Sequence, residues 1–344
     1  MTAITFDAVT RPSRLPRWLA IPAVLLVAYG LIPIFGTSYL FEAILLPFLA
    51  LSLAALGLNI LTGYAGQLSL GSAAFMAVGA FAAYNFNLRI PGLPLIVSLI
   101  LAGATAAAFG ILFGLPSLRL RGFYLAVSTL AAQFFVKWAL TRFGWLSNYN
   151  SSGVIDAPPL TLVGVKFEGP LGRYLFALTV VVVVTAFAAR LVATRSGRNF
   201  IAIRDNEIAA KVFGVSIFRT KLLAFGVSSF IIGVAGFLWA FAYLRTVEPD
   251  GFNLDRSFSI LFIIIIGGLA SIRGAFFGAA LIVVFPLVLS RLGALIFGGV
   301  FDSGVLDMSQ RIVIGALIIV FLIAEPDGLV ALWDRLTTKL LARA

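Results

Sequence analysis

The side chains most often recruited for catalysis are missing from this chain. Histidine is absent, which removes the commonest general base, the commonest metal ligand and any Ser-His-Asp triad. Cysteine is absent too, so there is neither a thiol nucleophile nor a disulfide framework. A phosphate-binding G-x-x-x-x-G-K-[ST] loop requires the dipeptide Gly-Lys, which occurs nowhere. No catalytic residue, metal ligand or cofactor site is therefore expected. Ion-coupled carriers usually place Asp, Glu or His inside the membrane. Here the acids sit in loops or at the ends of apolar runs, with Glu42 and Glu325 nearest to such runs. That pattern disfavours a carrier with its own ion coupling, although main-chain ion sites at broken helices would escape the test.

Two groups of residues remain. The first is a set of polar side chains within apolar runs: Asn59, Gln67, Ser69, Ser72, Ser128, Thr129 and Gln133. Ser69 and Ser72 stand three apart, which places them on one face of a helix. Such residues either line a path for a zwitterionic solute or hydrogen-bond neighbouring helices. The second is the most polar stretch of the chain, residues 194–220. Within it Asp205 is a good N-cap, Glu207 suits a first turn, Ala209 and Ala210 favour helix, and Gly214 suits its end. The expectation is a helix of about eight residues, ~12 Å long. It would present Arg204, Asn206, Glu207 and Lys211 outward, with Ile208 and Val212 on the other side. Two readings stay open, a solvated linker or a rigid knob that fits a groove on a soluble partner.

The elements that position these residues follow from composition. Of 344 residues, 61% are hydrophobic and 11% charged, against roughly 45–50% and about 25% in soluble domains. One water-facing fold cannot cover that much apolar surface, so the expected class is all-α, a polytopic membrane helical bundle. Runs of about 20 apolar residues give ten candidate spans: 18–35, 40–62, 68–86, 94–115, 123–141, 173–192, 221–244, 257–270, 274–290 and 308–324. The eighth is short and meets the ninth across Ser271-Ile272-Arg273, as half-helices or tilted spans would, so eight or nine spans are also open. The membrane domain is thus 18–325, between a basic tail 1–17 and a tail 326–344, with loops at 142–172 and 194–220. The 142–172 loop, with its Pro158-Pro159, reads as an ordered external loop or short lid.

Net charge is +11, from 25 Lys and Arg against 14 Asp and Glu. In a membrane protein this excess reports orientation rather than nucleic-acid binding. Basic residues concentrate in the tails, in 194–220 and at Arg119, Arg121 and Arg273, so both termini and the 194–220 loop read as cytoplasmic. Small residues recur at helical spacing as Ala102, Ala106, Gly110 and Gly114, and again as Ser229 and Gly233, which suits close helix packing. A faint echo links 66–75 with 268–277 in glycine, serine and aromatic order, as chance or an old repeat would.

Five stretches in order carry a resemblance that covers about Leu56 to Leu332. They are Gly57-Leu58-Asn59 with Gly63-Tyr64-Ala65-Gly66-Gln67-Leu68-Ser69-Leu70-Gly71, then Leu118-Arg119-Leu120-Arg121-Gly122-Phe123-Tyr124-Leu125-Ala126. The run from Gly197-Arg198 through Arg204-Asp205-Asn206-Glu207-Ile208-Ala209-Ala210 to Gly214 and Lys221 follows, then Gly267-Gly268-Leu269-Ala270-Ser271 and Glu325-Pro326-Asp327-Gly328-Leu329. Together they resemble the LivM-type permease subunit of bacterial ABC importers for branched-chain amino acids. The resemblance implies a multi-pass protein of the bacterial inner membrane that forms a translocation path. It implies a second, related permease, two cytoplasmic ATP-binding subunits and an external solute-binding protein as partners, with membrane lipid around the spans and no nucleic acid. It also implies that ATP hydrolysis lies on the separate subunits. Residues 204–214 resemble the ATPase-coupling motif E-A-A-x-x-x-G, with Ala209, Ala210 and Gly214 at the matching spacing and Glu207 one position early. Related systems move other amino acids, amides or urea.

Overall fold

A computed structural model describes residues 17–117, 123–150, 154–158, 160–162, 165–167, 169–297 and 328–341, with single positions between 312 and 323. The tail before Arg17, the basic pair Arg119 and Arg121, Glu325 and most of the tenth candidate span lie outside the described residues.

Backbone polar groups in a bilayer must bond within the protein, so the apolar runs fold as helices. Residues 17–35 form α1, Leu40–Tyr64 α2, Ser72–Arg89 α3, Leu95–Ser117 α4, Phe123–Arg142 α5 and Pro170–Ala193 α6. Arg195–Asp205 and Glu207–Val212 follow as the short α7 and α8; then come Ile217–Leu244 as α9, Leu254–Gly267 as α10, Ile272–Phe297 as α11 and Gly328–Leu341 as α12. Among the described residues five helices, α2, α4, α6, α9 and part of α11, are long and apolar enough to cross a membrane. The chain is a polytopic helical bundle.

Helices α2 and α9 are its core, since both are buried on nearly all sides. Glycine makes their close contacts possible. Gly79 of α3 lies directly against the Gly233 backbone of α9, and Gly236 against the Met76 carbonyl. Gly233 also abuts Ala106 of α4, while Gly110 abuts Ser229. The two small-residue stripes seen in the sequence are thus the two sides of one helix contact. Helix α1 leans on α6 through Tyr29 Oη and Thr179 Oγ1 (2.9 Å) and through Tyr174 Oη, which donates to Ala28 O (3.0 Å).

The described part of the 142–172 connection contains short strands. Ile155–Asp156 (β1) pairs antiparallel with Thr246–Val247 (β4), just past α9, and Thr161–Leu162 (β2) pairs with Val165–Lys166 (β3). These strands define one end of the bundle; α7 and α8 lie at the other.

Two helix breaks depart from the expected spans. The third span begins at Ser72 rather than Leu68, because residues 65–71 are non-helical, with Gly66 at φ +67°. Ser69 therefore does not share a helix face with Ser72. The cause is competition for the backbone donors: Leu70 N donates to Thr129 Oγ1 (2.9 Å), Ala73 N to Ser257 Oγ (2.9 Å) and Ala74 N to Gln133 Oε1 (2.6 Å). Side chains from α5 and α10 bond the amides that an extra helical turn would have used. The second break, residues 268–271, separates α10 from α11, with Gly268 at φ +119° and Ala270 at φ +55°. At 14 residues α10 is ~21 Å long, short of a bilayer core of about 30 Å. The echoing segments 66–75 and 268–277 thus each contain a break and the start of the next helix.

Candidate functional site

Two polar constellations occupy this frame. The first is the α7–α8 loop. Helix α7 is anchored by Phe200 and Ile203, both buried against the bundle. Asp205 closes α7 instead of capping the next helix. The N-cap is Asn206, whose Oδ1 accepts from Ile208 N (2.9 Å) and Ala209 N (3.0 Å). An asparagine in extended backbone bonds the first-turn amides as an aspartate would, so the helix starts one residue later and spans six residues. Gly214 ends it at φ +82°, with Gly214 N donating to Lys211 O and Val215 N to Ala210 O (3.0 Å each). That left-handed position explains the motif's glycine.

The orientation of α8 departs from the sequence expectation at Glu207, Ile208 and Val212, while Arg204, Asn206 and Lys211 are exposed as expected. Ile208, Val212 and Phe213 point outward, at 73%, 80% and 86% exposure. Glu207 instead turns inward, onto the ammonium of Lys221, which is 2% exposed in the first turns of α9. A buried cation without a counter-charge is costly, so this ion pair decides which face of α8 meets the bundle. Ala210, also buried, allows the close approach. Arg204 makes the second tie. Its guanidinium bonds Asp205 Oδ1 (2.9 and 3.0 Å) and donates through Nη1 to Gly63 O (3.1 Å), and its stem covers Gly66. The loop therefore grips α9 at one point and the first helix break at another. The pairing of Lys221 with Glu207 carried no signal in the sequence, because the two lie fourteen residues apart with a turn between.

The second constellation joins the helix breaks. Asn59 donates through Nδ2 to Ser271 O (2.8 Å) and accepts from Ala270 N (2.9 Å), so one side chain of α2 holds both faces of the second break. Gly63 lies directly against Ala270 N, leaving no space for a Cβ. At the start of α3, Gln133 Oε1 accepts from Ala74 N and Ser257 Oγ (3.2 Å), and its Nε2 donates to Phe252 O (2.8 Å). Thr129 bonds Leu70 N. Ser69 Oγ accepts from Gly71 N (3.4 Å) and Gln67 donates to Ala65 O (3.2 Å). Ser72 Oγ is buried there without a hydrogen bond among the described residues. Ser128 is half-buried on α5. The structure thus gathers Ser69, Ser72, Thr129 and Gln133 around the start of α3, and places Asn59 at the second break. Ser257, which the sequence analysis did not single out, completes the first group.

A polytopic bundle with broken helices, an exposed apolar knob and glycine-packed spans has the architecture of a transport permease. The chain belongs to the branched-chain amino acid transport system permease component family, whose model matches residues 40–322. It is similar to the high-affinity branched-chain amino acid transport system permease protein LivM of Salmonella typhimurium and to that of Escherichia coli. Identity to each is 36% over 252 residues, covering 67% of this chain and 59% of the relative. The chain therefore spans about three fifths of the length of these two curated relatives. The autoinducer 2 import system permease protein LsrC of Enterobacter sp. is 30% identical over 194 residues, 55% of this chain and 54% of that one. No solved structure matches.

Proposed function

We propose that this chain is the membrane permease subunit of an ATP-driven importer and forms the translocation path for branched-chain or related amino acids. The observation that carries this reading is the α8 surface. Three large apolar side chains stand exposed on a short helix and its C-cap, which an ion pair and an arginine bridge hold to the bundle. Exposed apolar patches of this kind mark protein contacts. The sequence holds no nucleotide loop of its own, so two cytoplasmic ATP-binding subunits supply the hydrolysis, and α8 is the knob on which one of them docks. The LivM relatives' name supports the solute class.

The excess of basic residues in 194–220 and in both tails supports a cytoplasmic side for this loop and both termini. The β-strand end then faces outward, toward an external solute-binding protein, and a second related permease completes the path. Closure of the ATPase pair moves α8 as a rigid body. Lys221 passes that motion to α9, and Arg204 passes it to Gly63 at the end of α2 and to Gly66 in the first break, while Asn59 of α2 links to the second break. Two discrete packings of the spans follow, inward- and outward-facing.

The test is co-purification of the ATPase with the permease. Wild type retains the ATPase, while Ile208→Asp and Phe213→Asp lose it with the permease still folded and expressed. Retention of the ATPase by both variants would contradict the docking role.

A further inference from the structure

A cavity of about 190 Å³ opens between α5 and the start of α10, away from the loop of α7 and α8. Its walls are Gln133, Phe134, Lys137, Asn253, Leu254 and Asp255. Pockets for drug-sized ligands measure roughly 300–1,000 Å³, so this one is sized for a small solute. Its lining is chemically divided. Lys137 presents an ammonium and Asp255 a carboxylate, while Phe134 and Leu254 present apolar surface.

Placement is as telling as composition. Lys137 lies five residues before the end of α5, ~7.5 Å along the helix from that end, and its side chain is 44% exposed. Its ammonium sits 2.8 Å from Asp250 Oδ1, on the short turn that leads into α10. A lysine and an aspartate this close to a helix end reach the membrane–water interface, so the cavity is open to water. A lysine has three donors, and one bond to Asp250 leaves others for an arriving carboxylate. The back wall is Gln133, the same side chain that ties together the starts of α3 and α10. A solute in the cavity thus sits against the side chain that holds both helix starts.

We infer that this cavity is the outer receiving subsite for a zwitterionic α-amino acid, with Lys137 taking the α-carboxylate, Asp255 the α-ammonium, and Phe134 and Leu254 the aliphatic side chain. The assignment rests on the transport reading above and adds to it the recognition chemistry. A neutral amide such as urea offers neither charge to this pair.

The experiment uses the reconstituted complex with its ATPase, second permease and binding protein. Because the chain has no native cysteine, Leu254→Cys or Phe134→Cys gives it one thiol in the cavity wall. Excess L-leucine slows reaction of that thiol with a methanethiosulfonate reagent, whereas L-leucinamide and 4-methylpentanoate, each lacking one of the two charges, protect weakly. Lys137→Glu or Asp255→Lys alone lowers leucine uptake about tenfold or more, and the two together recover part of it. Thiols that leucine does not protect, in a complex that still takes up leucine, would overturn the subsite. A wild-type complex that takes up no amino acid with ATP would overturn the transport reading instead.

Discussion

Lys221 and Glu207 form a pair in which one partner is almost wholly removed from water. Removing one member of such a pair leaves a desolvated charge, at a cost of about 3–5 kcal/mol. Glu207→Gln alone should therefore lower the thermal stability of the detergent-purified chain and its uptake, and Glu207→Gln with Lys221→Met should recover most of the stability. A double-mutant cycle on the melting temperature measures this coupling, and additive losses would contradict it. Asn59 is a second residue whose environment forecasts its behaviour. Asn59→Leu strips partners from Ala270 N and Ser271 O together, at about 1–3 kcal/mol for each buried group left unbonded. The expected result is a lower melting temperature with α2 itself intact; an unchanged one would show that the second break holds without it.

At the scale of elements, most helices were legible because apolar runs of bilayer length leave the backbone no other option. The small-residue stripes were legible for a related reason, since Gly110, Gly233 and Ala106 permit a helix approach that larger side chains forbid. Two features were not. The third span starts late because Thr129, Gln133 and Ser257, far away in the chain, bond the amides of residues 70, 73 and 74. Helix α8 turns its apolar residues outward because Lys221 is buried, whereas amphipathic periodicity assumes that apolar residues face the protein. The residues around the loop were identified from the sequence, but the direction they face depends on tertiary partners. The αL end of α8 gives an element-level prediction. Gly214→Ala adds no clash, since nothing stands near its Cβ position, yet it strains the backbone by about 1–2 kcal/mol. ATP-dependent uptake should fall while the spans stay folded, and ATPase co-purification should weaken with it. Wild-type affinity in this variant would remove the need for a fixed helix end.

For the whole molecule, the polar contacts form one connected line. The chain lacks a phosphate loop and histidine, yet it carries an exposed apolar knob joined through Arg204, Gly63 and Asn59 to both helix breaks. That line of contacts runs from α8 to the place where two spans are interrupted, which is where a transport path can open without exposing unbonded backbone to lipid. Membrane class and family motifs were visible in the composition and in five ordered stretches. The contact between the two breaks was not, because Asn59 and Ser271 are separated by more than two hundred residues. The most direct test is uptake of a panel of labelled solutes by the reconstituted complex, with the ATPase subunits present or omitted. The account predicts accumulation of leucine, isoleucine or valine only with the ATPase and ATP present. Robust uptake driven by an ion gradient in vesicles that lack the ATPase would contradict it.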